Sequence, residues 1–197
     1  MNIDDESSLH QEQIFSCINY SDTQLNQIEF VKCEFDNCDF SNSDLSHSDF
    51  VDCTFKNCNF SLTTITGTGF KDVTFNSCKI LGVDFSRCSK FMFSFKFESS
   101  HLDYSTFFGR KLKKTRFVAC SLKETDFEEA DLTSCVFQNC DLSGATFVRS
   151  ILEKTDFSSA RNFSIDPGSN KIKQTKFAAS GLAGLLDQYD LHIDYNS

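Results

Sequence analysis

The sequence has no tryptophan, and its one proline, Pro167, falls where the repetitive part of the chain is already fading. No apolar run approaches the roughly 18 residues of a membrane-spanning helix, and there is no lipidation motif, which argues against a membrane role. The opening stretch MNIDDESSLHQEQ is acidic and lacks the apolar centre of a signal peptide, so a cytoplasmic location with reduced thiols is expected. Basic residues are outnumbered, 19 Lys and Arg against 28 Asp and Glu, and the resulting net charge of −9 speaks against nucleic acid as a direct partner. No Cys-x2-Cys pair occurs, the close spacing that zinc sites favour, so no metal is expected. No nucleophile–base pair stands at catalytic spacing, and His10, His47, His101 and His192 are scattered and read as surface residues. An enzyme or a bound cofactor is therefore not expected.

What the sequence has is 23 Phe and 10 Cys in 197 residues, set on a period of five. Bulky residues recur from Tyr20, Leu25, Phe30 and Phe35 through Phe85, and again, shifted by two, from Phe97 and Leu102 through Phe157. Two residues before each of these beats stands something small, such as Cys33, Cys38, Ser43, Ser48, Cys53 and Cys58. A period of five fits neither the 3.6 of an amphipathic helix nor the 2 of a half-buried strand. It fits a polygonal coil in which each unit forms one side and turns two side chains inward, one large and one small. Stacking such coils sets Phe over Phe, and nine of the ten cysteines then serve as small buried residues interchangeable with Ser, Thr and Ala.

This pattern resembles the pentapeptide-repeat family, over roughly residues 15 to 161. The resemblance implies an all-β fold, a right-handed quadrilateral β-helix with four units per coil. Within the family the chain is similar to the gyrase-protecting Qnr/AlbG type. That similarity is carried by CNFSLTTITGTGFKDVTFNSCKILGVDF at 58–85, by the two-residue phase break after it, and by the ending SIDPGSNKIKQTKF with LLDQYDLHID. Unlike the Qnr type, it lacks long inserted loops. The similarity implies a DNA-mimicking homodimer that binds a type II topoisomerase, DNA gyrase and possibly topoisomerase IV, and protects it from an antibiotic or toxin such as albicidin or quinolones. The alternative is a non-enzymatic scaffold or regulatory module with another protein partner.

The expected organisation is an N-terminal leader at 1–14, a solenoid at 15–177 with a phase break at 86–96, and a C-terminal helix and short strand at 178–197. In the last segment Leu182, Leu185, Leu186 and Tyr189 follow helical spacing, and Leu191 and Ile193 alternate with polar residues, so this stripe is expected to cap the coil and form the dimer interface. Charge is uneven: residues 1–60 carry 12 acids and 2 bases, 61–120 carry 4 and 10, and 121–197 carry 12 and 7. Glu34, Asp39, Asp44 and Asp49, each just before a beat, and Asp126, Glu128 and Asp131 in a later coil, are the expected acidic contacts of the partner. The basic run GRKLKKTRF sets Arg110, Lys111, Lys113 and Lys114 as a possible contact for an acidic partner, with Arg110 at a position where a small inward residue belongs.

Overall fold

The computed structural model describes residues 8–192, with the exception of Met92. Ten short strands stack in parallel: β1 (Leu9–Gln11), β2 (Ile14–Ser16), β3 (Glu29–Val31), β4 (Glu34–Asp36), β5 (Asp49–Val51), β6 (Thr54–Lys56), β7 (Gly69–Asn76), β8 (Phe93–Glu98), β9 (Arg116–Val118) and β10 (Val136–Gln138). Isolated parallel bridges such as Asn19 to Asp39 and Asp44 to Thr64 complete the other sides. Successive coils are offset by twenty residues, so Phe35 pairs with Phe15 and Phe55 with Phe35. The chain is thus a four-sided parallel β-solenoid.

Side one explains why the coils stack. Phe15, Phe35, Phe55, Phe75, Phe97, Phe117, Phe137, Phe157 and Phe177 form one column of near-parallel rings at steps of 4.7 to 5.6 Å. Those steps match the spacing of hydrogen-bonded strands, so ring stacking and backbone pairing are satisfied together. Side two carries Tyr20, Phe40, Phe60, Ile80, Leu102, Leu122 and Leu142, and side three carries Leu25, Leu45, Ile65, Phe85, Phe107, Phe127 and Phe147. Side four runs from Phe30, Phe50 and Phe70 to Leu112, Leu132 and Leu152. Early coils are thus aromatic on sides one, two and four, and late coils on sides one and three. Aliphatic residues fill the remaining columns, which keeps the cross-section close-packed.

Most corners turn through a residue with positive φ, two places after the beat. Gly67, Gly82, Gly109 and Gly144 occupy four of these corners, but most are Asn, Asp, Ser or a longer side chain, for example Asn37 at 53° and Asn57 at 53°. The left-handed region disfavours any side chain, so these corners are held against local preference by the stacking on both sides. The inward thiols bond to the coil beneath: Cys53 Sγ donates to Phe30 O at 3.3 Å and Cys58 Sγ to Phe35 O at 3.4 Å. All ten cysteines are free, and only Cys17 is exposed.

Three features differ from expectation. The solenoid begins before residue 15, because β1 and β2 already pair with β3 and β4. His10 is not a surface residue: it takes the beat position of side four, is buried, and stacks on Phe30 at 5.2 Å. The C-terminal segment is not an α-helix with one apolar face but two 3₁₀ helices, Ala179–Leu185 and Asp187–Tyr189. Its approach to the last coil is too close for side chains, since a Cβ on Gly184 would lie 2.1 Å from Phe163 O, and Ile165 N donates to Gly184 O at 2.9 Å. The phase break is a loop between sides three and four, after which β8 crosses a corner against β7 with a register shift between Phe70 and Val73.

Phe55 stacks between Phe35 and Phe75 and meets Phe40, Phe50 and Phe60 edge-on. Phe55→Ala is expected to cost about 3–5 kcal/mol, read from denaturant midpoints, through lost burial and the cavity left behind. Cys53→Ala should be mild by comparison. In the native protein a bulky thiol reagent should titrate Cys17 alone, the other nine reacting only in denaturant; rapid native labelling of Cys53 would contradict its inward position.

Candidate functional site: a rod with two electrostatic halves

The residue before the beat has a structural duty that the sequence pattern hides. Asp39, Asp44, Asp126, Asp131 and Asp141 each accept a hydrogen bond from the backbone N–H two residues on, at 2.8 to 3.2 Å. Asn19 and Asn59 do the same, at 2.8 and 3.1 Å. An amide therefore serves the turn as well as a carboxylate, and the choice of Asp adds charge that the turn does not require.

Glu34, Asp39, Asp44 and Asp49 stand on sides one, two, three and four respectively, so the fold does not bring them into one patch. Glu34 is paired with Lys56 at 2.8 Å, and Asp131 with Lys113 at 3.1 Å. Glu128 and Glu129 share Arg149. Asp39, Asp44, Asp49 and Asp126 make no ion pair among the described residues.

Charge sorts by side rather than by stretch of chain. From residue 18 to 149, the units on sides two and three hold ten carboxylates and four Lys or Arg, a net of −6. The ten are Asp22, Asp39, Asp44, Asp84, Asp103, Glu124, Asp126, Glu128, Glu129 and Asp141. From residue 8 to 139, the units on sides four and one hold nine carboxylates and ten cations. Of the ten bases between residues 61 and 120, only Lys79 and Arg87 are on sides two and three. Most of the positive middle of the chain is therefore confined to one half of the rod's surface, and the other half is net acidic, with its carboxylates concentrated below residue 45 and above residue 100.

Lys111, Lys113 and Lys114 are exposed on side four. Arg110 is not beside them: it points inward and is 5% exposed, so it is not the surface contact its neighbours suggest. Its guanidinium donates to Cys88 O at 3.1 Å and Ser89 O at 2.6 Å, and lies 3.9 Å from the Phe93 ring centroid. In a regular coil a backbone N–H meets such a carbonyl, as Gly69 N meets Ser48 O at 2.9 Å. The inserted residues leave that ladder, and Arg110 supplies the missing donors. Desolvation pulls its pKa below the ordinary arginine value.

At the C-terminal end, Leu185 packs on the core, whereas Leu182, Leu186, Tyr189 and Leu191 are exposed and Ile193 lies outside the described residues. Among the described residues no cluster of ligating side chains could hold a metal ion, and no helix is long and apolar enough to cross a membrane.

A family profile described as Pentapeptide repeat region matches residues 28–107, and one described as Pentapeptide repeats (8 copies) matches 100–139, 111–147 and 125–161. Among solved structures, a trypsin-treated variant of QnrB1, a plasmid-mediated fluoroquinolone resistance protein, is 20% identical, covers 98% of this chain and 95% of its own, and superposes with a TM-score of 0.50. A second trypsin-treated variant is 20% identical, with 94% and 100% covered and a TM-score of 0.46. HetL, a protein involved in heterocyst differentiation regulation from the cyanobacterium Nostoc, is 16% identical, with 85% and 86% covered and a TM-score of 0.43. Comparison with curated protein sequences returns no match.

Asp141 provides a pH test of the carboxylates that cap the corners. Desolvation pushes its pKa up, but donors from Asn162 and Ser143 and the charge of Arg161 outweigh that and hold it at about 2. A depressed pKa stabilises the fold above the unfolded value of about 3.9, and that contribution is lost as pH falls through about 2. The stability difference between wild type and Asp141→Asn should thus be largest near neutrality and vanish in strong acid. A difference independent of pH would remove the charge from the account.

Proposed function

The chain belongs to the pentapeptide-repeat family, and from that premise we propose that it is a DNA mimic that binds a type II topoisomerase, DNA gyrase or its relative topoisomerase IV, and protects it from an antibiotic or toxin such as albicidin or a quinolone. The observation that carries this reading is the acidic half of the rod, sides two and three, where carboxylates outnumber cations ten to four. A cationic DNA-binding surface would dock on that half and be repelled by the basic middle of the other. Likeness of fold to QnrB1, a fluoroquinolone resistance protein, supports the same reading. The action is competition for the DNA-binding surface, with no bond made or broken.

This reading is specific about which acids matter. Asp39→Asn, Asp44→Asn and Asp126→Asn keep the turn hydrogen bond, as Asn19 and Asn59 show, while removing three charges from sides two and three. They should weaken binding to purified gyrase and raise the protein concentration needed to protect supercoiling from albicidin or a quinolone. The matched control, Glu29→Gln, Asp49→Asn and Asp52→Asn on side four, should leave both unchanged. Equal loss in the two sets would mean that net charge alone matters. No binding and no protection by the wild type would remove gyrase as the partner.

We also infer an end-to-end homodimer. The exposed Leu182, Leu186, Tyr189 and Leu191 crown the last coil, where apolar surface and unpaired strand groups would otherwise meet water. Removal of residues 181–197 should give monomers or aggregates by light scattering. An unchanged dimer would place the interface elsewhere.

A further inference from the structure

Opposite the acidic half, the inserted loop and the coil above it frame two adjoining hollows. One, of about 650 Å³, is lined by Lys90, Phe91, Phe93, Gly109 and Lys111, with Arg110 beneath. The other, of about 200 Å³, shares Phe93 and Lys111 with the first and adds Lys96, Lys113, Lys114 and Arg116. We propose that this groove binds a short acidic segment of a partner protein, one that carries an aromatic or aliphatic side chain among its carboxylates.

Three observations converge on that occupant. First, six cations rim the groove against two carboxylates, Asp72 in its wall and Asp131, which is already paired with Lys113. Lys96 and Arg116 are direct register partners on adjacent strands, a like-charge stack that destabilises the bare protein and that an anion would relieve. Second, Phe91 is 99% exposed, yet its loop is tied down by the buried Arg110 through two carbonyls and the Phe93 ring. A fully exposed aromatic beside this group of cations offers an apolar contact that a purely electrostatic site would lack. Third, the groove is short. On the same two sides, the units at 8–57 carry six carboxylates against Lys32 and Lys56, so a long polyanion running along the rod would be repelled after a few coils. A peptide fits these limits better than a nucleic-acid strand. The assignment does not depend on the identity of the partner on sides two and three.

The probe is a fluorescein-labelled peptide of alternating Glu and Phe, followed by fluorescence polarisation with the full chain at low and high salt. It should bind, and added salt should weaken it, because exposed charges are screened. Lys111→Glu combined with Lys114→Glu should weaken binding about tenfold or more through lost complementarity and new repulsion. Phe91→Ala should weaken it at both salt concentrations. Lys79→Glu combined with Lys123→Glu, the same charge change on side two, should have no effect, and all variants should keep the wild-type melting temperature. Absence of binding, equal loss in the side-two control, or tighter binding of a single-stranded oligothymidylate than of the peptide would each overturn the proposal.

Discussion

The structure depends on the coincidence of two spacings. Hydrogen-bonded strands sit about 4.8 Å apart, and near-parallel aromatic rings are comfortable at about the same separation. A chain that places Phe every twenty residues, or twenty-two across the insertion, satisfies both at once, as the nine rings from Phe15 to Phe177 do. Burial of that column favours forming the next coil and holds the non-glycine corners in the left-handed region. Because each coil rests only on its neighbours, the fold tolerates exchange between aromatic and aliphatic columns along the rod but not a column left empty.

The phase break sits where that exchange takes place. Below it three sides are aromatic; above it two are. Phe93 and Phe95 fill the core at the transition, Phe95 taking the small position opposite Val73. Two extra residues cannot join the ladder, and a buried arginine replaces the backbone donors they displace. The loop is thus a consequence of repacking: Arg110 holds it at Cys88, Ser89 and Phe93, and Phe91 stands exposed at its tip.

The inward ladder is readable from the sequence because period five has few structural solutions and every beat from Tyr20 to Phe85 and from Phe97 to Phe157 obeys it. The small cysteines followed from the same beat. Three things were hidden. His10 occupies a beat position, but a histidine there reads as polar surface; its place twenty residues before Phe30 was the available signal. The C-terminal Leu spacing suits an α-helix, and only the close approach of Gly181 and Gly184 to Phe163 reveals a tighter 3₁₀ path. The charge pattern is invisible along the chain because the two halves of each coil alternate every ten residues. Residues 61–120 sum to a positive block, whereas sorting the same residues by position within twenty separates an acidic half from a basic groove.

The density of the acidic half sets a limit on the mimicry proposed above. Duplex DNA presents about one charge per 1.7 Å, or nearly three per coil of this rod. Sides two and three do not reach that density, and they are not uniform. The unit pair at 58–67 has no charged side chain at all, while Asp39 and Asp44 lie in the coil beneath it and Glu124, Asp126, Glu128 and Glu129 share one coil further on. The acidic half is therefore better described as two nodes separated by about four coils, roughly 20 Å at strand spacing, than as a continuous phosphate track. A surface that grips both strands of a duplex at spaced points would meet such nodes. One that follows a single backbone would not, so the mimicry proposed above requires a partner of the first kind.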